Sequence, residues 1–255
     1  MKSPKVIFLT GATGAIGGAL ARLYAQPEIT LILQGRNQLH LQSLADECRN
    51  QGAVVAIYSC DLRDSSALNA FINTVQNEFV IDLAILSHGV NINHGSLNKG
   101  ETWAEAEALF DINVRATMAI VHSLVPHMRA RGAGQVALMS SLAAYYGLPV
   151  TPSYSASKAA LKTYGEAMRA WLAPEGVEVN VIMPGYVKSE MCDAMPGPKP
   201  FLLTPARAAQ KIQKGLRSNQ PRISFPFPLN LGCWLLSISH PSVAQRILGW
   251  LSYHG

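Results

Sequence analysis

Tyr154 and Lys158 stand four residues apart, and Ser141 lies thirteen residues before the tyrosine. On a helix a spacing of four puts two side chains on one face, so a phenol and an ammonium share one site. A tyrosine beside a fixed cation is a device for acid–base chemistry. The reference phenol pKa of about 10 is too high for a base near neutrality, and lowering it by about 3 units takes roughly 4 kcal/mol in favour of the phenolate. A fixed ammonium, joined by a second cationic ring held nearby, can supply that. Ser141 sits where an apolar run ends, so its hydroxyl can reach a substrate oxygen beside Tyr154. A Tyr-x-x-x-Lys pair alone arises by chance on many helices and needs support from elsewhere in the chain.

That support is at the N-terminus. Thr10-Gly11-Ala12-Thr13-Gly14-Ala15-Ile16-Gly17 follows the apolar run Val6-Ile7-Phe8-Leu9 and leads into a helical pattern through Leu20, Leu23 and Tyr24. A glycine-rich turn between a strand and a helix lets backbone N–H groups approach a pyrophosphate, at the positive end of the helix dipole.

The elements that must position these residues alternate along the chain. Strands are predicted over Lys5–Thr10, Thr30–Gln34, Val54–Tyr58, Ile81–Ser87, Gln135–Ser140 and Val177–Met183. They are mostly continuous apolar runs, as expected of strands buried on both faces. Helices are predicted over Ile16–Gln26, Gln38–Gln51, Ser65–Glu78, Thr102–Arg131, Ser153–Ala173 and Pro205–Arg217, with the fourth split in two near Asp111. Thr204 is placed to cap the last of these and Pro205 suits its first position. Strand–helix alternation argues for a parallel sheet covered by helices on both faces.

Composition is consistent with one α/β domain. The chain has 255 residues, 49% hydrophobic and 15% charged, with a net charge of +5. That excludes disorder, and without a basic run it gives no sign of nucleic-acid binding. The charge suits anionic cofactors or substrates, or a membrane surface. Cys48, Cys60, Cys192 and Cys233 are scattered with no Cys-x-x-Cys pair and read as reduced thiols of a cytoplasmic protein. The first predicted strand begins by residue 5, which leaves no room before it for a signal peptide. No strictly apolar run approaches the ~20 residues of a spanning helix. His122 and His127 are five apart on one predicted helix, a poor chelating pair, so no metal site is expected.

Over about residues 5–225 the chain resembles the short-chain dehydrogenase/reductase family. The glycine-rich turn, Asp61 after the third strand, Asn113 in Asp111-Ile112-Asn113-Val114, Ser140-Ser141, Tyr154/Lys158 and Pro184-Gly185-Tyr186-Val187-Lys188-Ser189 match in order and at family-like spacing. The resemblance implies a Rossmann-type doubly wound parallel sheet in a single domain: residues 1–225 for cofactor and catalysis, a substrate lid at 190–205, and an apolar tail at 226–255. It implies a catalytic tetrad of Asn113, Ser141, Tyr154 and Lys158. Tyr154 would exchange a proton with the substrate oxygen that Ser141 holds. Lys158 would bind the nicotinamide ribose and depress the tyrosine pKa, and Asn113 would hold a relay water. The implied cofactor-binding set is Gly11, Thr13, Gly14, Ala15, Ile16, Gly17, Arg36, Asn37, Asp61, Leu62, Gly89, Tyr154, Lys158, Pro184, Gly185 and Val187. A homodimer or homotetramer is implied in the same way.

Two departures stand out. Ala15 occupies the place of the family's middle glycine, giving the TGxxGxxG form common in epimerases and dehydratases. Leu86-Ser87-His88-Gly89 replaces the usual Asn-Asn-Ala-Gly, which removes the usual bracing of the fourth strand; His88 reads as a structural histidine, with a place near the cofactor as the alternative. The second strand ends Leu33-Gln34-Gly35-Arg36-Asn37. An NAD site usually places an acidic residue here, whereas a guanidinium binds a 2′-phosphate. NADP(H) is therefore favoured, with Asn37 near the 2′ group; NAD(H) fits if Arg36 only stacks on adenine.

Met195-Pro196-Gly197-Pro198-Lys199-Pro200 reads as part of a mobile lid or as a plain surface loop. From Ile223 to Gly255, Arg246 is the one residue among Lys, Arg, Asp and Glu, while Phe225, Phe227, Trp234, Trp250, Tyr253 and many leucines crowd the segment. Arg207, Lys211, Lys214 and Arg217 make a basic stripe before it. Two readings stand: a solvated stripe with a tail over the substrate pocket or a subunit interface, or peripheral contact of residues 207–255 with the inner face of a membrane or a lipid-like substrate. The expected activity is an NADP(H)-dependent carbonyl reductase or alcohol dehydrogenase for a hydrophobic ketone or secondary alcohol. Its rivals are an NAD-linked alcohol dehydrogenase, an epimerase or dehydratase, and an inactive nucleotide-binding regulator.

Overall fold

Each central strand alternates its side chains between two apolar layers, and that alternation builds the molecule. In the computed structural model, which describes residues 4–92, 100–195 and 197–251, seven parallel strands form one sheet in the order β3-β2-β1-β4-β5-β6-β7. They are β1 Val6–Thr10, β2 Thr30–Gly35, β3 Val54–Ser59, β4 Leu83–Leu86, β5 Gly134–Met139, β6 Val177–Pro184 and β7 Arg222–Phe225. The order reverses between β1 and β4, which opens a crevice at the C-terminal ends of those strands, where α/β sheets of this kind take ligands.

One face is covered by α1 (Ala15–Tyr24), α2 (Gln38–Asn50) and α8 (Pro205–Arg217). Leu20, Leu41, Leu44 and Ile212 from these helices pack with Ile7, Leu9, Leu31 and Leu33. The other face is covered by α3 (Ser65–Glu78), α5 (Thr117–Ala130) and α6 (Pro152–Leu172). There Phe71, Ile120, Leu124 and Leu172 meet Phe8, Ile32 and Leu86 from the same strands.

Local chemistry fixes the helix starts. Asn37 caps α2, Asp64 caps α3, and Thr204 caps α8 with Pro205 in its first turn, as predicted for that helix. Helix α4 (Trp103–Phe110) begins with a capping box between Thr102 and Glu105. In contrast, Gly14 leads α1 with no side-chain cap.

The expected break near Asp111 is absent. Helix α4 passes through a π-helical segment, Asp111–Ala116, straight into α5. No proline or glycine stands there to end the helix; instead one turn is widened around Asn113. Arg115 secures that turn, donating to Asp111 (2.7 Å), Ser65 Oγ (2.6 Å) and the Arg63 carbonyl (2.6 Å). The run Trp103–Ala130 is the one helix among the described residues long and apolar enough to cross a bilayer by length and composition. Here it packs on the sheet, burying Ile120, Val121, Leu124, Val125 and Met128.

The tail forms strand β7 and two short helices, α9 (Leu229–Ile238) and α10 (Pro241–Trp250). β7 closes the sheet beside β6, a strand not placed from sequence because only four residues pair. In the segment 190–205, read from sequence as a lid, Ser189 caps a single turn, α7 (Glu190–Asp193), and Val187 bridges to Leu203 across its base. Pro196 of that loop and Tyr253 of the tail lie outside the described residues.

Candidate active site

The glycine turn is held from below by a residue not singled out from sequence. Gln34 Oε1 accepts from Gly11 N–H (3.1 Å), its carbonyl accepts from Ala12 N–H (2.8 Å), and its Nε2 donates to the Cys60 carbonyl (2.7 Å). Gly11 adopts φ +64°, and a Cβ there would lie 2.7 Å from His88 Cα. A Cβ on Gly17 would lie 2.2 Å from the Gly11 carbonyl oxygen. Both glycines are thus steric requirements of the turn. Ala15, in contrast, takes the first position of α1 and lines the cavity beside Gly14 and Ile16.

One cavity of about 1040 Å³ runs along the C-terminal ends of the strands. Of the residues singled out from sequence it is lined by Gly11, Thr13, Gly14, Ala15, Ile16, Gly17, Arg36, Asp61, Leu62, Gly89, Ser141, Tyr154, Lys158, Pro184, Gly185 and Val187. At the glycine-turn end, the first N–H groups of α1 have no helical acceptor and no side-chain cap, so they are available to an anion. This end fits the pyrophosphate of a dinucleotide.

At the end of β2, where an NAD site usually carries a carboxylate, stands Gly35. A Cβ on Gly35 would meet the Thr13 side chain at 3.0 Å. The next residue, Arg36, is exposed and lines the cavity, and so does His40 from the first turn of α2. His40 escaped the sequence reading because nothing in its spacing marks it. Asn37, expected near the 2′ group, is not among the lining residues; its Oδ1 accepts from His40 N–H (3.0 Å) and so caps α2. Asp61 pairs with Arg63 (2.6 Å), whose guanidinium holds its carboxyl down at about 2.

At the centre of the cavity, β5 delivers Ser141 and α6 delivers Tyr154 and Lys158. Lys158 is buried, donates to the Met139 carbonyl (2.9 Å) and lies 5.5 Å from the centre of the Tyr154 ring. Burial pulls its ammonium down to about 8. The expected depression of the Tyr154 pKa is not what the free protein shows: burial holds the phenol above its ordinary value, and a hydrogen bond with Ser141 opposes this only in part. Desolvation penalises the phenolate, and Lys158 is itself weakened as a cation by the same burial.

Asn113 does not line the cavity. Its side chain is fully buried behind Gly89: Oδ1 accepts from Val90 N–H (2.9 Å), and Nδ2 donates to the Val90 carbonyl (3.0 Å) and to Ser157 Oγ (3.0 Å). Ser157 in turn donates to the Tyr154 carbonyl (2.8 Å). The side chain therefore ties the wall at Gly89–Val90 to the helix bearing Tyr154.

His88 is buried between two hydroxyls, with Thr10 Oγ1 at 2.6 Å from Nδ1 and Thr117 Oγ1 at 3.1 Å from Nε2. Thr117 spends its proton on the Asn113 carbonyl (2.8 Å), which assigns the imidazole proton to Nε2. Thr10 then donates to Nδ1. Ser87 Oγ donates to the Thr10 carbonyl (2.6 Å). Ser87 and His88 thus brace β4 to β1 where the usual asparagines are missing. Burial pulls the His88 pKa down to about 3 and Lys158 beside it works in the same direction, so the ring is neutral.

The far wall comes from the tail. Leu229, Cys233 and Leu236 of α9 and Leu248 of α10 line the cavity together with Leu142 and Met191. Burial pushes the Cys233 thiol up to about 11, so this wall is apolar and unreactive.

Sheet order, uncapped glycine turn and Tyr–Lys helix agree with the comparisons. A sequence profile described as "short chain dehydrogenase" matches residues 5–197. The chain is 33% identical over 229 residues to an oxidoreductase of Myxococcus xanthus, covering 89% of each chain. It is 29% identical over 256 residues to the ketoacyl reductase HetN of Nostoc, covering 96% of this chain and 88% of the relative. Among solved structures, a short-chain dehydrogenase from Sphingobium yanoikuyae in complex with NADPH superposes with a TM-score of 0.82 at 19% identity, over 96% of this chain and 95% of that one. An alcohol dehydrogenase from Comamonas testosteroni, specific for bulky-bulky ketones, superposes with a TM-score of 0.78 at 16% identity, over 99% of this chain and 95% of that one. The chain belongs to the short-chain dehydrogenase/reductase family and is an NAD(P)-dependent oxidoreductase of that family.

Proposed function

We infer that the protein is an NADP(H)-dependent reductase of apolar ketones, with oxidation of the corresponding secondary alcohols as the reverse reaction. One observation carries the reading. A single cavity joins the exposed guanidinium of Arg36 at one end, Ser141, Tyr154 and Lys158 at its centre, and the apolar wall of α9 and α10 at the other. Bound NADPH supplies a hydride to the substrate carbon from its nicotinamide ring.

The protein's own residues do the rest. The N–H groups at the start of α1 would bind the pyrophosphate, and Arg36 with His40 would hold the 2′-phosphate. Ser141 Oγ holds the substrate oxygen. Tyr154, whose phenol keeps its proton in the buried site, donates that proton to the oxygen as negative charge develops there. Lys158 binds the ribose and stabilises the phenolate left behind. Asn113, through Ser157 and Val90, acts as a positioning residue for Tyr154 and Gly89. A protonated Tyr154 is the competent acid for reduction, whereas oxidation must begin from phenolate. The ketoacyl reductase activity named for the Nostoc relative supports the same reaction class.

Titration of NADPH and NADH fluorescence on wild type and Arg36→Ala tests the cofactor assignment. A guanidinium–phosphate contact is worth about 1.5–3 kcal/mol. The variant should therefore lose roughly tenfold to a hundredfold in NADPH affinity with NADH affinity unchanged. Equal binding of the two cofactors by wild type overturns the preference.

A further inference from the structure

Helix α9 has only Asn230 and Ser237 as polar side chains, yet none of its residues is fully buried. A ten-residue helix of this kind does not hold itself together in water; such helices belong in a core or in lipid. Its cavity side carries Leu229, Gly232, Cys233 and Leu236. Leu231, Trp234, Leu235 and Ile238 fall at i, i+3, i+4 and i+7, one continuous stripe, between 42% and 64% exposed. Trp250 of α10 is 92% exposed, and Phe227, just before α9, is 76% exposed. This is a contiguous apolar surface rather than scattered single residues.

The charge distribution says what covers it. No Asp or Glu follows Asp193, while Lys199, Arg207, Lys211, Lys214, Arg217, Arg222 and Arg246 do, so that final stretch carries +7 and the rest of the chain −2, which together make the net charge of +5. A second copy would bring cation against cation. An anionic bilayer brings the opposite charge and attracts each Lys or Arg near its surface. Helix α8 starts just after Leu203, which bridges to Val187 beyond the C-terminal end of β6, and it descends to the start of β7. Its Arg207 end therefore lies at the edge of the sheet where α9 follows β7. Leu235, Ile247 and Leu251 are exposed and also line the cavity, so the mouth of the cavity opens within the apolar surface.

We propose that α9 and α10 dock on an anionic lipid bilayer, with the mouth of the active-site cavity facing the lipid, so that a lipid-soluble ketone enters from the membrane. The entry route rests on the reductase reading above; the docking does not.

The test is co-sedimentation of the full chain with phosphatidylcholine vesicles with and without phosphatidylglycerol. Wild type should pellet with the anionic vesicles. Leu231→Ser/Trp234→Ser/Ile238→Ser should weaken that binding about tenfold or more, as should Arg207→Glu/Lys211→Glu, with added salt acting like the charge reversal. The three serine positions do not line the cavity, so retained NADPH binding shows that the variant is folded. Should the triple variant not fold, quenching of wild-type tryptophan emission by brominated anionic lipid supplies the readout, from Trp234 and Trp250. Wild type that stays in the supernatant with both vesicle types, or that forms a dimer dissolved by the same substitutions without binding vesicles, overturns the proposal. Vesicle binding without NADPH binding would uphold the docking and defeat the reductase reading.

Discussion

His88 shows how one departure from a family pattern is absorbed. The imidazole accepts a hydrogen bond from Thr10, donates one to Thr117, and so replaces bracing that asparagines supply elsewhere. Its neutrality has a consequence for stability. The unfolded chain takes up a proton at about 6.5, while the folded chain resists until about 3. Unfolded chains therefore bind more protons between those values, and the contribution of His88 is complete above pH 6.5 and lost as pH falls toward 3. Denaturant unfolding across that window should show a shallower loss for His88→Gln than for wild type; identical slopes would mean that the imidazole is protonated in the fold. Sequence spacing was enough to gather Ser141, Tyr154 and Lys158, because strand and helix periodicities fix their faces. It did not show that Asn37 caps α2, that the Asn113 side chain is buried against Val90 and Ser157, or that burial outweighs the Ser141 hydrogen bond at Tyr154. The Asn37 cap is a contact with His40, three residues on, whereas the placing of Asn113 depends on Val90, 23 residues away, and the state of Tyr154 on desolvation, which no local pattern encodes.

At the scale of elements, apolar runs and cap residues were the legible part. Strands buried on both faces show as unbroken hydrophobic stretches, and Thr204-Pro205 announces a helix start. What was not legible came from backbone geometry. The π-helical turn at Asn113 is held by Arg115 and Thr117 within the helix and by Val90, 23 residues away, the last a contact that the local sequence does not reveal. Strand β7 is too short to carry a period. The glycine turn gives an element-scale prediction in which two effects oppose each other. Helix propensity alone makes Gly17→Ala stabilising by about 1 kcal/mol. The 2.2 Å approach to the Gly11 carbonyl makes it disruptive. Thermal unfolding and NADPH titration should both show loss in Gly17→Ala, with at least about a tenfold drop in affinity. A stabilised variant with unchanged affinity would mean that the turn has room the structure does not show.

Across the whole molecule, the cavity extends from the Arg36 end to an apolar wall, and the net charge is concentrated in the same terminal stretch that supplies that wall. The tail's composition was plain in the sequence, but its place over the active site was not, because short helices between prolines carry no information about where they pack. The central claim is that Tyr154 is the proton donor in NADPH-dependent reduction of an apolar ketone. The most direct measurement follows loss of NADPH absorbance with ketones of graded chain length, on wild type and Tyr154→Phe, alongside NADPH affinity for both. Wild type should turn over, better as the chain lengthens. The variant should bind NADPH as wild type does while losing roughly a hundredfold to ten-thousandfold in rate. A Tyr154→Phe protein that reduces the same ketones at the wild-type rate would contradict the account.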